Sequence, residues 1–274
     1  MKKKISYAAI GDVGIDIYPK IGKQFPGGMA LNSVFHAVQA GAHASAISAI
    51  GTDKQARIII QFCDENRISR DMVSVIDGVT DSVEIILDEN GVPHYHNWNL
   101  GVLEKFRLNK THENFLGNQD VTTAVYLPEL KHLFDAFSKM NLPNTLKVGD
   151  FTDLSEHGGD QYVLNEYKDS FNIFALSIDE KVDARVESFS SFVTSQNKMG
   201  IALLGKRGSV VISDGKQFVQ RANTVKVVDT TGAGDSYLST FLVENLREKN
   251  MAYSIKKATH AATTVIQRYG ASQI

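Results

Sequence analysis

A single cysteine, Cys63, stands in a chain of 274 residues. No intrachain disulfide and no cysteine-built zinc site can form, so a reducing compartment is expected. Charge of one sign is not in excess either: 29 lysines and arginines stand against 31 aspartates and glutamates, a formal net charge of -2 with the signs interspersed. That balance excludes the basic footprint of a nucleic-acid binder and leaves a small molecule as the expected partner. Long hydrophobic runs are missing too. After "MKKK" the apolar stretch "ISYAAIG" runs straight into Asp12, too short for the core of a signal peptide or a membrane span. A cytoplasmic protein with no membrane partner is the expectation. Low-complexity linkers, charge blocks and internal repeats are absent, which points to one domain over 1–274.

What is present alternates. The short apolar runs "ISYAAIG", "ASAISAIG", "AVYLP", "LKVGD", "NIFALS" and "IALLG" read as buried strands bounded by glycine, proline or an acid. Between them, "MALNSVFHAVQAG", "DKQARIIIQFCDEN", "PELKHLFDAFSKM" and "DARVESFSSFVTSQN" have helical spacing and length. Strand and helix in turn predict an α/β fold, a mostly parallel sheet with helices on both faces. Two stretches break the alternation: "VGIDIYPKIGKQF", and "VEIILDENGVPHY", which reads as a hairpin about "DENG". They predict a small inserted β lid, contributed from about 13–25 and 83–100, over one end of the sheet.

"DTTGAGDSY", Asp229 to Tyr237, sets Gly232, Ala233 and Gly234 before Asp235 and a strongly helical run. Bare backbone at a helix start offers amides to an anion, aided by the helix dipole. Asp235 beside such a nest would repel the anion, yet is well placed to take a proton from a hydroxyl attacking it. Together these are the parts of phosphoryl transfer, a cradle and a base. The plainer reading is an acid in the first turn of a helix, stabilised by the dipole. Three other matches fail. "GIALLGKR" puts Arg207 where a phosphate loop needs Ser or Thr. Ser236 as a hydrolase nucleophile lacks the context of a triad. His94 and His96 share a strand face but have no evident third metal ligand.

A second cluster lies near the start of the chain. "GDVGIDIYP" places Asp12 and Asp16 near the end of the first strand, and "PGGMALN" places Gly27 and Gly28 before Asn32 in a helix. In open parallel sheets ligands collect beyond the carboxyl ends of strands. Asp16 and Asn32 suit sugar hydroxyls, with the glycines permitting close approach; taken singly, each is ordinary turn chemistry.

These segments, over nearly the whole chain, resemble the ribokinase-like or PfkB-type carbohydrate kinases. "GDVGIDIYP" is similar to that family's first strand and substrate acid, at Asp16. "GGMALNSVFHAVQAG", with Gly51 and Asp53 after it, resembles its first signature, and "DTTGAGDSYLSTFL" its second. The resemblance implies a three-layer sandwich, ATP and Mg2+ as cofactors, Asp235 as catalytic base, and Gly232, Ala233 and Gly234 as anion hole. Asp12, Asp16, Gly27, Gly28, Asn32 and the sole tryptophan, Trp98, are implied at the acceptor sugar. Gly205 and Gly208 of "LLGKRGS", with Thr231, are implied at the nucleotide, and "AATTVIQRYGA" near the adenine. Where the family shows Asn-x-x-Glu, "SIDE" puts Ser177 in place of the asparagine and leaves Glu180 as the implied nucleotide and magnesium residue. Asp229 and Thr231 fit a loop that binds K+ in such proteins. "GDVGIDIYP", "FPGGMALN" and "YHNWNLGV" look most like the fructosamine kinases that phosphorylate the 6-hydroxyl of fructoselysine. Another PfkB-type sugar or nucleoside kinase, or a non-catalytic sugar-binding or regulatory protein on the same fold, are the alternatives. An apolar lid sheet is expected to pair with a second copy as a homodimer.

Overall fold

Alternation of residue type along the strands decides the layering. The computed structural model describes residues 4–154, 160–178 and 183–273. The first half of the chain runs β1 (Ser6–Ile10), β2 (Gly14–Tyr18), β3 (Lys23–Gly27), α1 (Met29–Gln39), β4 (His43–Ile50), α2 (Lys54–Glu65), β5 (Val73–Val75), β6 (Asp81–Leu87), β7 (Pro93–Asn99), α3 (Lys110–Leu116) and β8 (Val121–Val125). There follow α4 (Lys131–Ser138), β9 (Leu146–Asp150), α5 (Asp160–Glu166), β10 (Ile173–Ser177), α6 (Asp183–Ser195), β11 (Met199–Leu203), β12 (Ser209–Ser213), β13 (Lys216–Gln220), α7 (Ala233–Glu248) and α8 (Met251–Val265).

Nine strands form the main sheet in the order β13-β12-β11-β10-β9-β8-β1-β4-β5, parallel except where β12 meets β11 and β13. Successive residues of a strand face opposite ways, and the core divides accordingly. Tyr7, Ala9, Ile173 and Ala175 face a core closed by α1, α2, α7 and α8. Ala8, Ile10, Phe174 and Leu176 face a second core closed by α3 to α6, rich in phenylalanine. There Phe134 meets Phe151 and Tyr167 edge-on, with centroids 5.3 and 5.0 Å apart, the geometry that aromatic quadrupoles favour. The sheet with helices on both faces is the ribokinase-like α/β fold expected. One strand is displaced: "AVYLP" was expected, but β8 begins at Val121, where the buried, β-branched Thr122 and Thr123 fit a pleated surface.

The remaining strands form a separate sheet, ordered β3-β2-β6-β7. Its β6–β7 turn is shaped by Asp88, whose carboxylate accepts the amides of Asn90 and Val92 at 2.8 and 2.9 Å. The turn rests on the segment before α7. The amide of Thr230 donates to Gly91 O at 2.8 Å, and a Cβ on Gly91 would stand 2.8 Å from Val228 O. Both sheets therefore meet at the start of α7.

Candidate functional site

Gly232 caps α7 in a left-handed conformation, φ 75°, and a Cβ there would lie 2.3 Å from that of Ala271. Glycine is demanded twice, by the backbone and by its neighbour. Of the three amides expected to be bare, that of Ala233 donates to Thr230 O at 3.2 Å; those of Gly232 and Gly234 have no such partner. The cradle is thus narrower than "GAG" suggests, because a turn closes across it.

Asp229 also departs from its expected place. It is 1 % exposed, and its carboxylate accepts the Tyr18 hydroxyl at 2.6 Å, the Thr231 amide and hydroxyl at 2.9 and 2.5 Å, and the Gly270 amide at 3.0 Å. Four donors fill it. A direct K+ contact by this carboxylate does not fit, and Thr231 is held in the same knot. Its visible effect is to tie β2, the α7 loop and the C-terminal turn together.

Asp235, in the first turn of α7, is buried, and burial with the charges of Asp150, Asp12 and Asp16 pushes its pKa well above the ordinary carboxylate range. One group opposes this. The Asn32 amide nitrogen donates to its Oδ2 at 3.1 Å, while Asn32 Oδ1 accepts the Ser272 hydroxyl at 2.8 Å. Asn32, expected at a sugar hydroxyl, instead has its side chain stretched between Ser272 and Asp235. Below lies a buried hydroxyl network, Tyr7 to Ser33 at 2.6 Å and Ser33 to Ser239 at 3.0 Å, which joins β1, α1 and α7. Neutral His36, its pKa lowered by burial to about 4, bonds Ala271 O through Nε2 at 2.9 Å.

Three further carboxylates gather where the two sheets meet. Asp12 and Asp16 are 6 % and 4 % exposed, and Asp81, which sequence reasoning missed, is 3 % exposed. Each rests against a glycine. A Cβ on Gly27 would fall 2.2 Å from the Asp16 carboxyl carbon, one on Gly14 2.6 Å from Asp81 Oδ2, and one on Gly28 3.1 Å from Asp12 Oδ2. Gly27 therefore makes room for the Asp16 carboxylate, and Gly28 chiefly for the Asp12 backbone carbonyl at 2.6 Å, where room for the sugar had been expected. Burial raises all three pKa values, that of Asp16 to about 8, with Asp12 and Asp229 adding to it. Trp98 is half-buried, and its indole N–H donates to Asp81 Oδ1 at 2.7 Å.

Two other groups escaped the sequence reading. Asp150, at the end of β9, is buried with its pKa pushed up to about 6, and its charge is a leading influence on Asp235. Tyr95 on β7 exposes more than half of its surface, while its hydroxyl end is desolvated and lies near the charges of Asp16 and Asp235, which disfavour its ionisation. An acid closing a strand was the available signal for Asp150; none existed for Tyr95 or Asp81. Gly205 (φ 56°) and Gly208 (φ 103°) flank the β11–β12 turn, and a Cβ on Gly208 would strike Gln220 O. Glu180 lies outside the described residues. Among the described residues no three histidines, cysteines or acids converge to hold a metal ion, and no helix is long and apolar enough to cross a membrane.

Solved structures share this architecture. An adenosine kinase from Sinorhizobium meliloti superposes with TM-score 0.79 at 17% identity, covering 99% of this chain and 97% of that one. A ribokinase from Thermotoga maritima gives 0.76 at 19%, covering 98% and 95%. The fold defines a ribokinase-like α/β protein. In sequence, residues 171–274 match the pfkB family carbohydrate kinase. Fructoselysine 6-kinase of Escherichia coli (strain K12) is 28% identical over 96% of this chain and 98% of its own length. Fructosamine kinase FrlD of Bacillus subtilis (strain 168) is 23% identical over 96% and 91%. The pfkB carbohydrate kinase match covers residues 171–274, and the relatives matched over nearly the whole chain are named kinases, which points to ATP use and a small-molecule sugar substrate.

Proposed function

We propose that this kinase transfers the γ-phosphoryl group of ATP to the 6-hydroxyl of a fructosamine such as fructoselysine. The observation that carries the reading is Asp235, buried at the amide-bearing start of α7 and held there by Asn32. Asp235 accepts the proton of the sugar hydroxyl as its oxygen attacks phosphorus. Low dielectric surroundings keep this carboxylate basic, and the Asn32 hydrogen bond opposes that rise by favouring the ionised form. The Gly232 and Gly234 amides, with the α7 dipole, meet the charge that develops on the phosphoryl oxygens. Asp16, Asp12 and Trp98 stand at the acceptor end, and Gly205, Gly208 and Thr231 on the nucleotide side. Magnesium bound with ATP would supply charge neutralisation, and Glu180 is the residue that would contact it. The β2-β3-β6-β7 sheet serves as the lid within one domain over 1–274. Its edge strands β3 and β7 are free to pair in a homodimer, as exposed Val92 and Tyr95 favour.

The test is ADP release with ATP, magnesium and a panel of acceptors: fructoselysine, fructose, a ketose phosphate and a nucleoside, with the product's phosphate located by NMR. Fructoselysine phosphorylated at carbon six supports the reading. Preference for a nucleoside or ketose phosphate by more than about tenfold, roughly 1.4 kcal/mol, overturns the acceptor.

A further inference from the structure

Asp81 is held on every side. The preceding Thr80 donates its amide and hydroxyl to Asp53, the N-cap of α2, at 2.8 and 2.6 Å, and accepts the Gly51 amide at 3.0 Å. Asp81 itself pairs with Gly14 across the parallel β2–β6 ladder. Since side chains alternate along a strand, Asp81 shares a sheet face with Asp16, two residues beyond Gly14. Trp98, packed against the second core, fixes Asp81 Oδ1 from the other side. Such bracing places a carboxyl; it supplies no counter-charge.

Among the described residues no basic side chain is a leading influence on Asp81. The leading influences on Asp12, Asp16 and Asp81 are burial, backbone amides, the Trp98 N–H and acidic charges, with no lysine, arginine or histidine among them. Asp16, 4 % exposed, takes no hydrogen bond from any described residue, and Asp12 Oδ1 is buried without a partner. Buried carboxylates left this way are costly unless a cation or donor arrives. The convergence needed for a metal ion is absent among the described residues. An organic ammonium, which presents N–H donors and a positive charge together, meets both needs.

We propose that Asp81, positioned by Trp98, is a specificity-determining residue that selects acceptors carrying a protonated amine, acting with Asp12 and Asp16 as its counter-charge. This rests on the fructosamine reading above and adds to it the group that distinguishes a ketosamine from the plain ketose. A fructosamine bears a secondary amine on carbon one, protonated near neutral pH. With the 6-hydroxyl at Asp235, the opposite end of the sugar is directed toward the lid acids. A protonated amine lets these carboxyls, which burial otherwise keeps protonated, ionise against it; a neutral ketose does not.

The experiment compares kcat/KM of wild type, Asp81→Asn and Trp98→Phe on fructoselysine, fructose, and a fructose carrying an uncharged ether of matching length on carbon one. In wild type, fructoselysine should exceed the ether by at least about tenfold, and Asp81→Asn should shrink that ratio by about tenfold or more, chiefly through KM, as expected when one side of a buried charge pair is removed. Trp98→Phe, which keeps the ring but frees Asp81, should shrink it less. A ratio unchanged in Asp81→Asn while wild type prefers fructoselysine overturns this inference alone. Should Asp81→Asn not fold, an unchanged ratio in Trp98→Phe overturns it equally. Wild type that shows no preference for fructoselysine over both fructose and the ether overturns the fructosamine reading, and the inference with it.

Discussion

Asn32 donates a hydrogen bond to Asp235, and substitutions at each should fail differently. Asp235→Asn keeps shape and hydrogen-bonding capacity, so it should fold while kcat falls about 10²- to 10⁴-fold, the usual worth of a positioned general base. Near-normal turnover would remove Asp235 from that role. Because the folded pKa of Asp235 is raised, kcat/KM in wild type should decline as pH falls, with its inflection above the ordinary carboxylate range. The Asn32 hydrogen bond lowers that pKa. Asn32→Ala should therefore move the acid limb to higher pH; an unmoved limb with only a higher KM would return Asn32 to the sugar.

At the scale of elements, the start of α7 is held from three directions: by Thr230 on the β6–β7 turn, by Asp229 with Tyr18 of β2, and by Gly232 against Ala271. A side chain at Gly232 opposes the left-handed backbone, at about 1–2 kcal/mol, and also displaces Ala271. Gly232→Ala should lower Tm by several degrees, at about 2–4 °C per kcal/mol for a chain of this size, and weaken the bond of His36 to the C-terminal turn. By contrast a Cβ on Gly234 meets only Leu203 at 3.4 Å. Gly234→Ala should cost little stability, so any loss of turnover there reports on the amide cradle. Calorimetry beside kinetics separates the two glycines; equal loss of Tm in both would contradict this division.

For the molecule as a whole, buried titratable groups set how stability follows pH. Asp16, raised to about 8 from 3.8, and Asp150, raised to about 6, hold protons that the unfolded chain releases, so their contribution falls as pH rises through those windows. His36, lowered to about 4 from 6.5, acts oppositely below 6.5, since the unfolded chain takes the proton there. Lys147, lowered to about 8 from 10.5, bonds only carbonyls, at Ser138 and Met140, and restores stability only as pH climbs from 8 toward 10.5. Between 6.5 and 8 Asp16 is unopposed by either. Tm should be lower at pH 8 than at pH 6.5, each group contributing about 1.4 kcal/mol per pH unit at most. Asp16→Asn should flatten that decline and raise Tm at pH 8. A Tm that rises over this interval would show the acids to be solvated or paired.

The sequence by itself determined the alternation of strands and helices, the segments of the second sheet and both glycine-rich stretches, because each depends on periodicity or on a local backbone demand. Gly232, Asp235, Asp16 and Asn32 stood out for that reason. Tertiary structure alone decided what these residues touch. Asn32 looked like a sugar ligand until Ser272, 240 residues away in sequence, proved to hold its other end. Gly27 and Gly28 looked like space for a substrate until Asp16 and Asp12 were found against them. Asp81 gave no signal, since an acid opening a strand is ordinary in one dimension. Only the β2–β6 register sets it on the face of Asp16, and only the return of β7 brings Trp98 to it. Local propensity is written residue by residue, whereas the gathering of buried acids at this site is a sum over segments that meet only when the two sheets close on α7.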